Sequence, residues 1–480
     1  MSFISLSYLF FFPVVAILFY LLPHRLRWLL LLAASCIFYM AFIPLYILIL
    51  SFTIVIDYIA AIIIAKSKGP KRKTWLTISI IANISVLAIF KYYNFFLGNF
   101  HLATVLPVLK IALPIGLSFH TFQAMAYTIE VYRGNQQPEK HFGIYALYIM
   151  FFPQLVAGPI ERPQNMLHQF HEKKLFNFDN ISSGLRLILW GFFKKMVVAD
   201  RLALITDQVY ASPETHSPTA LFLATFFFAF QIYADFSAYS DIAIGSARIL
   251  GFNLMRNFNV PYQSKSLIEF WRRWHISLST WFRDYLYVPL GGNKVSISKW
   301  VFNIILVFVL SGFWHGANWA FITWGATNGL YILLERFTRK TRHSLIRWIK
   351  WEQTAFYNGL KVLVTFGLIM ISWIFFRAGS MQDAFLILSK MSKVPSDSFK
   401  TLVHHSGKIA IYGFGRRDIV FALLLIMGMY ISEMIMNRRS FTEITFFSKR
   451  NIRWTLYYLI IFLIVLLGVF EKRDFIYFQF

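Results

Sequence analysis

Acidic residues are scarce in this 480-residue chain: 22 Asp and Glu stand against 47 Lys and Arg, a formal net charge of +25. Charge of either sign is thin as well, at 14% of residues, where a soluble domain carries about 25%. Too few polar groups remain to solvate a water-facing surface of this size. With 58% hydrophobic and 19% aromatic residues, the better solvent for the chain is lipid. The single cysteine, Cys36, lies inside an apolar run, which excludes intrachain disulfides and any Cys-based metal site. Three motifs are missing: a GxxxxGK[ST] phosphate loop, an HExxH zinc pair and a GxSxG nucleophile elbow. Their absence withdraws support from nucleotide-driven transport and serine-esterase chemistry. No soluble module carries a repeating basic and aromatic stripe, so no nucleic-acid partner is expected.

What the chain has is apolar runs. A membrane-crossing helix needs about 20 apolar residues, and thirteen candidate segments stand out: about 4–22, 27–43, 44–65, 75–97, 112–130, 142–157, 181–209, 219–250, 300–316, 318–335, 355–376, 418–436 and 454–470. The first lacks a basic leader and a small-residue cleavage site, so it reads as a retained span. The basic residues fall mostly in short connections, where they set topology and attract anionic headgroups. The run Lys66–Lys73 is expected to face the cytoplasm, as are Arg336–Lys350 and Asn437–Arg453, which puts both chain ends outside. Matching ends require an even number of crossings. At least one of the thirteen segments is therefore re-entrant or interfacial, with 261–300 the expected neighbourhood of the irregularity. The longest extracytoplasmic loop, about 378–417, is too short for a domain of its own. One membrane-embedded domain is expected to fill residues 1–480.

Two stretches carry chemistry. In Phe270–Asn293, Trp271, Trp274 and Trp281 interleave with Arg272, Arg273 and Arg283 as an amphipathic helix that puts His275 on one face with Trp271 and Ser279. Tryptophan with arginine suits a membrane interface, so an anchor helix is one reading. Against it stand a titratable His275 and the later Asp284 and Tyr285, more polar equipment than an anchor needs. The second stretch, Leu310–Trp319, holds His315 between Gly312 and Gly316, glycines that permit close approach of backbone or ligand. A histidine at membrane depth is costly unless it faces a wet cavity or a partner, so function is the default hypothesis there. Neutral imidazole can serve as general base near neutral pH. Asp57, His120, Glu130, Lys194, Lys195, Asp200, Asp235 and Asp241 read as helix-packing hydrogen bonds or the polar lining of a tunnel. Gly158–Pro163 ends a span and is a further candidate for that lining.

At Glu269–Trp281, Arg283–Tyr287, Leu290–Asn293 and Trp314–Asn318 the sequence resembles the membrane-bound O-acyltransferase superfamily, most closely its alginate O-acetylase branch. Leu113–Phe119, Phe152–Pro159 and Tyr233–Asp241 match in the same order, and Phe475–Phe480 also looks like the family. The resemblance implies an all-α polytopic membrane protein with about 11–13 hydrophobic helical segments around a central tunnel, its motif core near residues 110–340. It implies that His315 is the active-site histidine and His275 the second catalytic position. Trp274, Asp284, Tyr285, Trp314 and Asn318 would shape the substrate site. It also implies a location in a bacterial inner membrane, crossed many times, with no bound cofactor or metal. Acetyl-CoA would be the donor substrate, a polysaccharide the acceptor, and a separate SGNH-type extracytoplasmic acetyltransferase the partner. Transfer of D-alanine from a carrier protein to teichoic acid is the sister activity, and export of a polysaccharide or lipid without acyl chemistry is the reading from another class.

Overall fold

In lipid every backbone N–H and C=O must be satisfied within the chain, and only helices do that segment by segment. The computed structural model is accordingly helical, with no strand among the described residues. It describes all residues except 102–103, 157, 352–353, 398–414, 439–449, 472, 474 and 479–480. Among the described residues, seven helices are long and apolar enough to cross a membrane: Pro44–Lys66, Pro70–Asn99, Pro218–Ile249, Ile297–His315, Ala355–Arg377, Arg416–Met436 and Arg450–Leu467. A shorter apolar helix covers Leu6–Leu21. Several expected spans are broken. Pro153 stands just inside a fresh four-residue helix, so 142–157 divides into Phe142–Met150 and Phe152–Leu155. The 181–209 run divides into Phe178–Phe192, a wide π-turn over Phe193–Ala199, and Asp200–Ala211. The expected loop at 378–417 opens with a helix, Met381–Met391, and its later part lies outside the described residues.

The chain forms two compact units. The first comprises Met1–Gly191 with Tyr239–Arg256. Polar side chains tie its apolar helices together. Asp57 accepts hydrogen bonds from Ser79 Oγ at 2.6 Å and Asn83 Nδ2 at 2.9 Å, and Ser79 Oγ also reaches Thr128 Oγ1 at 3.0 Å. Thr53 meets His120 Nε2 at 3.0 Å. These are helix-packing bonds, as expected for Asp57 and His120. Gly158–Pro163 also belongs to this unit, where Glu161 is buried and takes the Met255 N–H at 2.5 Å and Asn165 Nδ2 at 2.6 Å. Burial raises the Glu161 carboxyl to about 7.

The second unit comprises Phe192–Ala238 with Asn257–Phe480. Its central hairpin pairs Ile297–His315 with Trp319–Phe337. The pairing depends on absent Cβ atoms. One built on Gly312 would lie 2.2 Å from the Phe321 carbonyl oxygen, and one on Gly325 would lie 2.2 Å from that of Phe308. Small residues at such crossings let backbones approach where lipid supplies no hydrophobic drive between helices. Asn318 starts the second helix as its N-cap, taking the Ala320 N–H at 2.9 Å. Gly325→Val should force these helices apart and cost at least the 1–3 kcal/mol or so typical of overpacking. A lowered unfolding midpoint in detergent checks this, and an unchanged midpoint would show that the crossing tolerates a Cβ.

Candidate functional site

The expected single amphipathic helix through His275 is two short helices, Leu267–Arg273 and Ile276–Phe282. Ser266 caps the first, accepting from Glu269 N at 3.1 Å, and the Leu267 N–H is taken by Glu335 at 2.7 Å. The break falls at Trp274, which is extended, and His275, which sits in the left-handed region at φ 42. A non-glycine residue there is uncommon and carries a steric cost. Asn257 holds the kink: its carbonyl oxygen accepts from Ile276 N at 2.9 Å, and its Oδ1 from Ser277 Oγ at 2.7 Å. The kink turns the His275 ring edge-on to Phe236, at 4.6 Å between centroids. His275 is 1% exposed. Desolvation lowers its pKa to about 3, so the imidazole stays neutral at physiological pH.

His315 is the last residue of its helix. Gly316, beside it, is also a close-approach position, since a Cβ there would meet the Phe321 ring at 2.3 Å. Aromatic rings surround the imidazole: Trp314 at 4.9 Å, Trp324 at 5.1 Å, Tyr477 at 5.3 Å and Phe376 at 5.4 Å between centroids. Trp314 and Tyr477 lie against His275 as well, at 6.3 and 6.2 Å, so the two histidines share a chamber.

Both histidines line one cavity of about 1470 Å³ within the second unit. That exceeds the roughly 300–1,000 Å³ of a drug-sized pocket. Its apolar wall includes Trp271, Trp300, Ile304, Val307 and Phe308. Its charged lining is of one sign: Arg272, Arg283, Arg336, Arg339, Lys340 and Arg347, with His343 and no Asp or Glu. Those cations are exposed while the two histidines are buried. The cavity therefore grades from a wet, cationic end to a dry, aromatic one.

Of the expected site residues, His275, His315 and Trp274 line this cavity, and Trp314 packs on both imidazoles. Asn318 is a helix cap. Asp284 and Tyr285 are not in the lining: Asp284 takes Arg283 Nε at 2.7 Å, and the Tyr285 ring lies 5.1 Å from Trp281. The cavity lining is drawn from residues 268–347, so Gly158–Pro163 is not part of it. Sequence reasoning missed Trp324 and Phe376, because aromatic residues are everywhere in this chain, and it gave Phe236 and Tyr477 no role in the site although both lie in the family-like segments Tyr233–Asp241 and Phe475–Phe480. It saw Arg336–Lys350, but as a topology signal.

A cavity with two buried imidazoles and exposed cations in its lining is the candidate active site. Comparison with known proteins gives the family. The pattern of the membrane-bound O-acyltransferase family matches residues 140–378. The chain is 38% identical over 403 residues to the "probable alginate O-acetylase AlgI" of Azotobacter vinelandii, covering 82% of this chain and 78% of that protein. It is 37% identical over 391 residues to a peptidoglycan O-acetyltransferase of Helicobacter pylori, covering 75% and 72%. A teichoic acid D-alanyltransferase of Bacillus subtilis is more distant, 27% identical over 278 residues, with 55% and 68% covered. The chain belongs to the membrane-bound O-acyltransferase family and is a multi-pass membrane O-acyltransferase.

Because His275 stays neutral above pH 3 or so, it contributes no titration between pH 5 and 8. His275→Asn should lower the rate of acyl transfer while leaving the shape of its pH profile unchanged. A shifted acid limb in that variant would show that His275 titrates in the working range.

Proposed function

We propose that this protein takes an acetyl group from a cytoplasmic thioester, acetyl-CoA, and delivers it across a bacterial inner membrane for O-acetylation of an extracytoplasmic polysaccharide. The observation that carries the reading is the cavity's grading from exposed cations to buried histidines. A nucleotide thioester has the matching grading, with phosphates at one end and an uncharged acyl group at the other. Arg336, Arg339, Lys340 and Arg347 are suited to the phosphates, the arginines through paired N–H donors. Two of the relatives reported above are named as a probable alginate O-acetylase and a peptidoglycan O-acetyltransferase, which supports a glycan acceptor and an acetyl cargo.

In the chemistry we assign, His315 takes the proton of the accepting hydroxyl as its oxygen bonds to the thioester carbonyl carbon. The carbonyl electrons move onto oxygen, where the neutral His275 is suited to offer an N–H to the developing charge. Collapse of that intermediate breaks the C–S bond, and the departing thiolate takes the proton from His315. Trp314 packs against both rings, at 6.3 Å from His275 and 4.9 Å from His315. A separate SGNH-type acetyltransferase outside the membrane would complete delivery to the glycan.

His315→Ala in cells should abolish ester-linked acetate on the extracellular glycan, measured after mild base release, with glycan yield unchanged. Loss of general-base catalysis alone is worth roughly 10²–10⁴ in rate. Unchanged acetate would remove His315 from the mechanism, and reduced glycan yield would point to export instead. In membranes supplied with labelled donors, Arg336→Ala with Arg339→Ala should raise the KM for acetyl-CoA, and added salt should weaken binding in the wild type. Labelling by a D-alanyl carrier protein in place of acetyl-CoA would favour the sister activity.

A further inference from the structure

The described residues near the C-terminus, up to Tyr477, return to the chamber as a strap. Its path is pinned at several points in the second unit. The Val469 N–H donates to the Met196 carbonyl oxygen at 3.0 Å. Arg473 Nη1 meets Asp207 Oδ2 at 3.0 Å, and the other Asp207 oxygen takes Arg377 Nη2 at 2.8 Å. Farther on, the Ile476 N–H donates to Asp235 Oδ2 at 2.8 Å. The second Asp235 oxygen pairs with Lys195 Nζ at 2.9 Å, and Lys195 pairs also with Asp200 at 2.8 Å. All three of these charged side chains are at most 5% exposed.

Those bonds lead to the histidines. Phe475 is fully buried, with its ring 5.5 Å from Phe236 and stacked on Tyr477 at 5.4 Å. The Tyr477 ring then lies 5.3 Å from His315 and 6.2 Å from His275. Asp235 sits one residue before Phe236, which carries the His275 ring. One carboxylate thus fixes both the strap and the segment it closes against.

We propose that Asp235 is a positioning residue for acyl transfer: its carboxylate, held by Lys195, captures the Ile476 N–H and so sets Tyr477 as a wall of the histidine chamber. The inference rests on reading His315 and His275 as the reacting pair. An ionised acceptor binds a backbone N–H more strongly than a neutral one does. Lys195 Nζ holds one Asp235 oxygen at 2.9 Å while the other takes the Ile476 N–H at 2.8 Å, so the acceptor is fixed from both sides. Asp235 acts at a distance from the reaction, through the strap.

The test uses full-length protein in detergent or lipid nanodiscs, with two readouts. Hydrogen–deuterium exchange of a C-terminal peptide spanning Phe475–Phe478 should show protection in the wild type. In Asp235→Ala that exchange should speed up roughly tenfold or more, as loss of a hydrogen bond to a charged group requires. Asp235→Asn keeps an oxygen for the Ile476 N–H and should stay nearer the wild type. Ile476→Pro removes the N–H alone and leaves the buried ion pairs intact, at a first helical position where proline fits. It guards against a variant that merely unfolds. In acetyl transfer, Asp235→Ala and Ile476→Pro should each lower kcat about tenfold, the loss of one such bond, with the acetyl-CoA KM within twofold. The double variant should be no worse than the poorer single one. Unchanged exchange in Asp235→Ala, or rate losses that multiply in the double variant, would overturn the proposal. A wild type that turns over no acetyl-CoA would overturn the donor reading instead, and the exchange result would still decide the strap.

Discussion

The site depends on a contact made without side chains. Gly312 and Gly325 bring the backbones of Ile297–His315 and Trp319–Phe337 together until a single Cβ would strike a carbonyl oxygen at 2.2 Å. Lipid gives apolar helices no hydrophobic reason to associate, so packing must supply the attraction, and packing is strongest where backbones touch. This crossing fixes the end of the first helix, and His315 is its last residue. Gly316 then lets Phe321 lie flat against the turn. The imidazole is aimed by helix geometry rather than by a flexible loop, which is how a reacting group is kept in register.

His275 is placed in the opposite way, by a strained break. A regular helix through Leu267–Phe282 would carry it on the face shared with Trp271 and Ser279. Instead the left-handed turn at φ 42 swings the ring toward Phe236, and Asn257 repays the lost helical bonds with its carbonyl and its side chain. Non-glycine residues hold such backbone only where the surroundings over-determine it, and such positions cluster at functional sites. The buried ions of the same unit show the cost of polar groups in this medium. Lys194 meets Glu433 at 3.1 Å and Ser237 at 2.8 Å, while Lys195 meets two aspartates. Removing one partner from such a set typically costs about 3–5 kcal/mol, because a charge is left buried alone.

These differences decide what could be read from the chain alone. Helical class, membrane solvent and the two histidine motifs were legible, because composition, apolar run length and motif spacing are properties of sequence. Gly312 and Gly316 were rightly taken as signs of close approach. The break at His275 was not legible: Trp271–Phe282 has no proline or glycine, and its periodicity continues across the kink. Asn257, the residue that stabilises the kink, lies 20 residues before Ser277 and carries no local signal. Asp284 and Tyr285 looked like site residues by proximity to His275. The π-turn over Arg283–Tyr287 instead leaves them outside the lining. Tyr477 lies more than 150 residues after His315 in the sequence, and only tertiary structure brings it there.

The basic residues at Arg336–Arg347 show why one signal can carry two meanings. Cations in a short connection are expected to favour the cytoplasmic side, and the same cations line the cavity. The functions do not compete, since both need the charges wet and exposed. The chemistry needs the reverse. A charged histidine buried in that cavity would lose its hydration, and that desolvation is what keeps His275 neutral. On the proposed reading, recognition and reaction are thereby separated along the cavity. The charged part of the donor stays where ions are cheap to solvate, and the uncharged thioester enters where water is excluded. The only new charge there arises in the transition state, and a fixed, neutral N–H in a dry site stabilises that charge more than it stabilises the ground state.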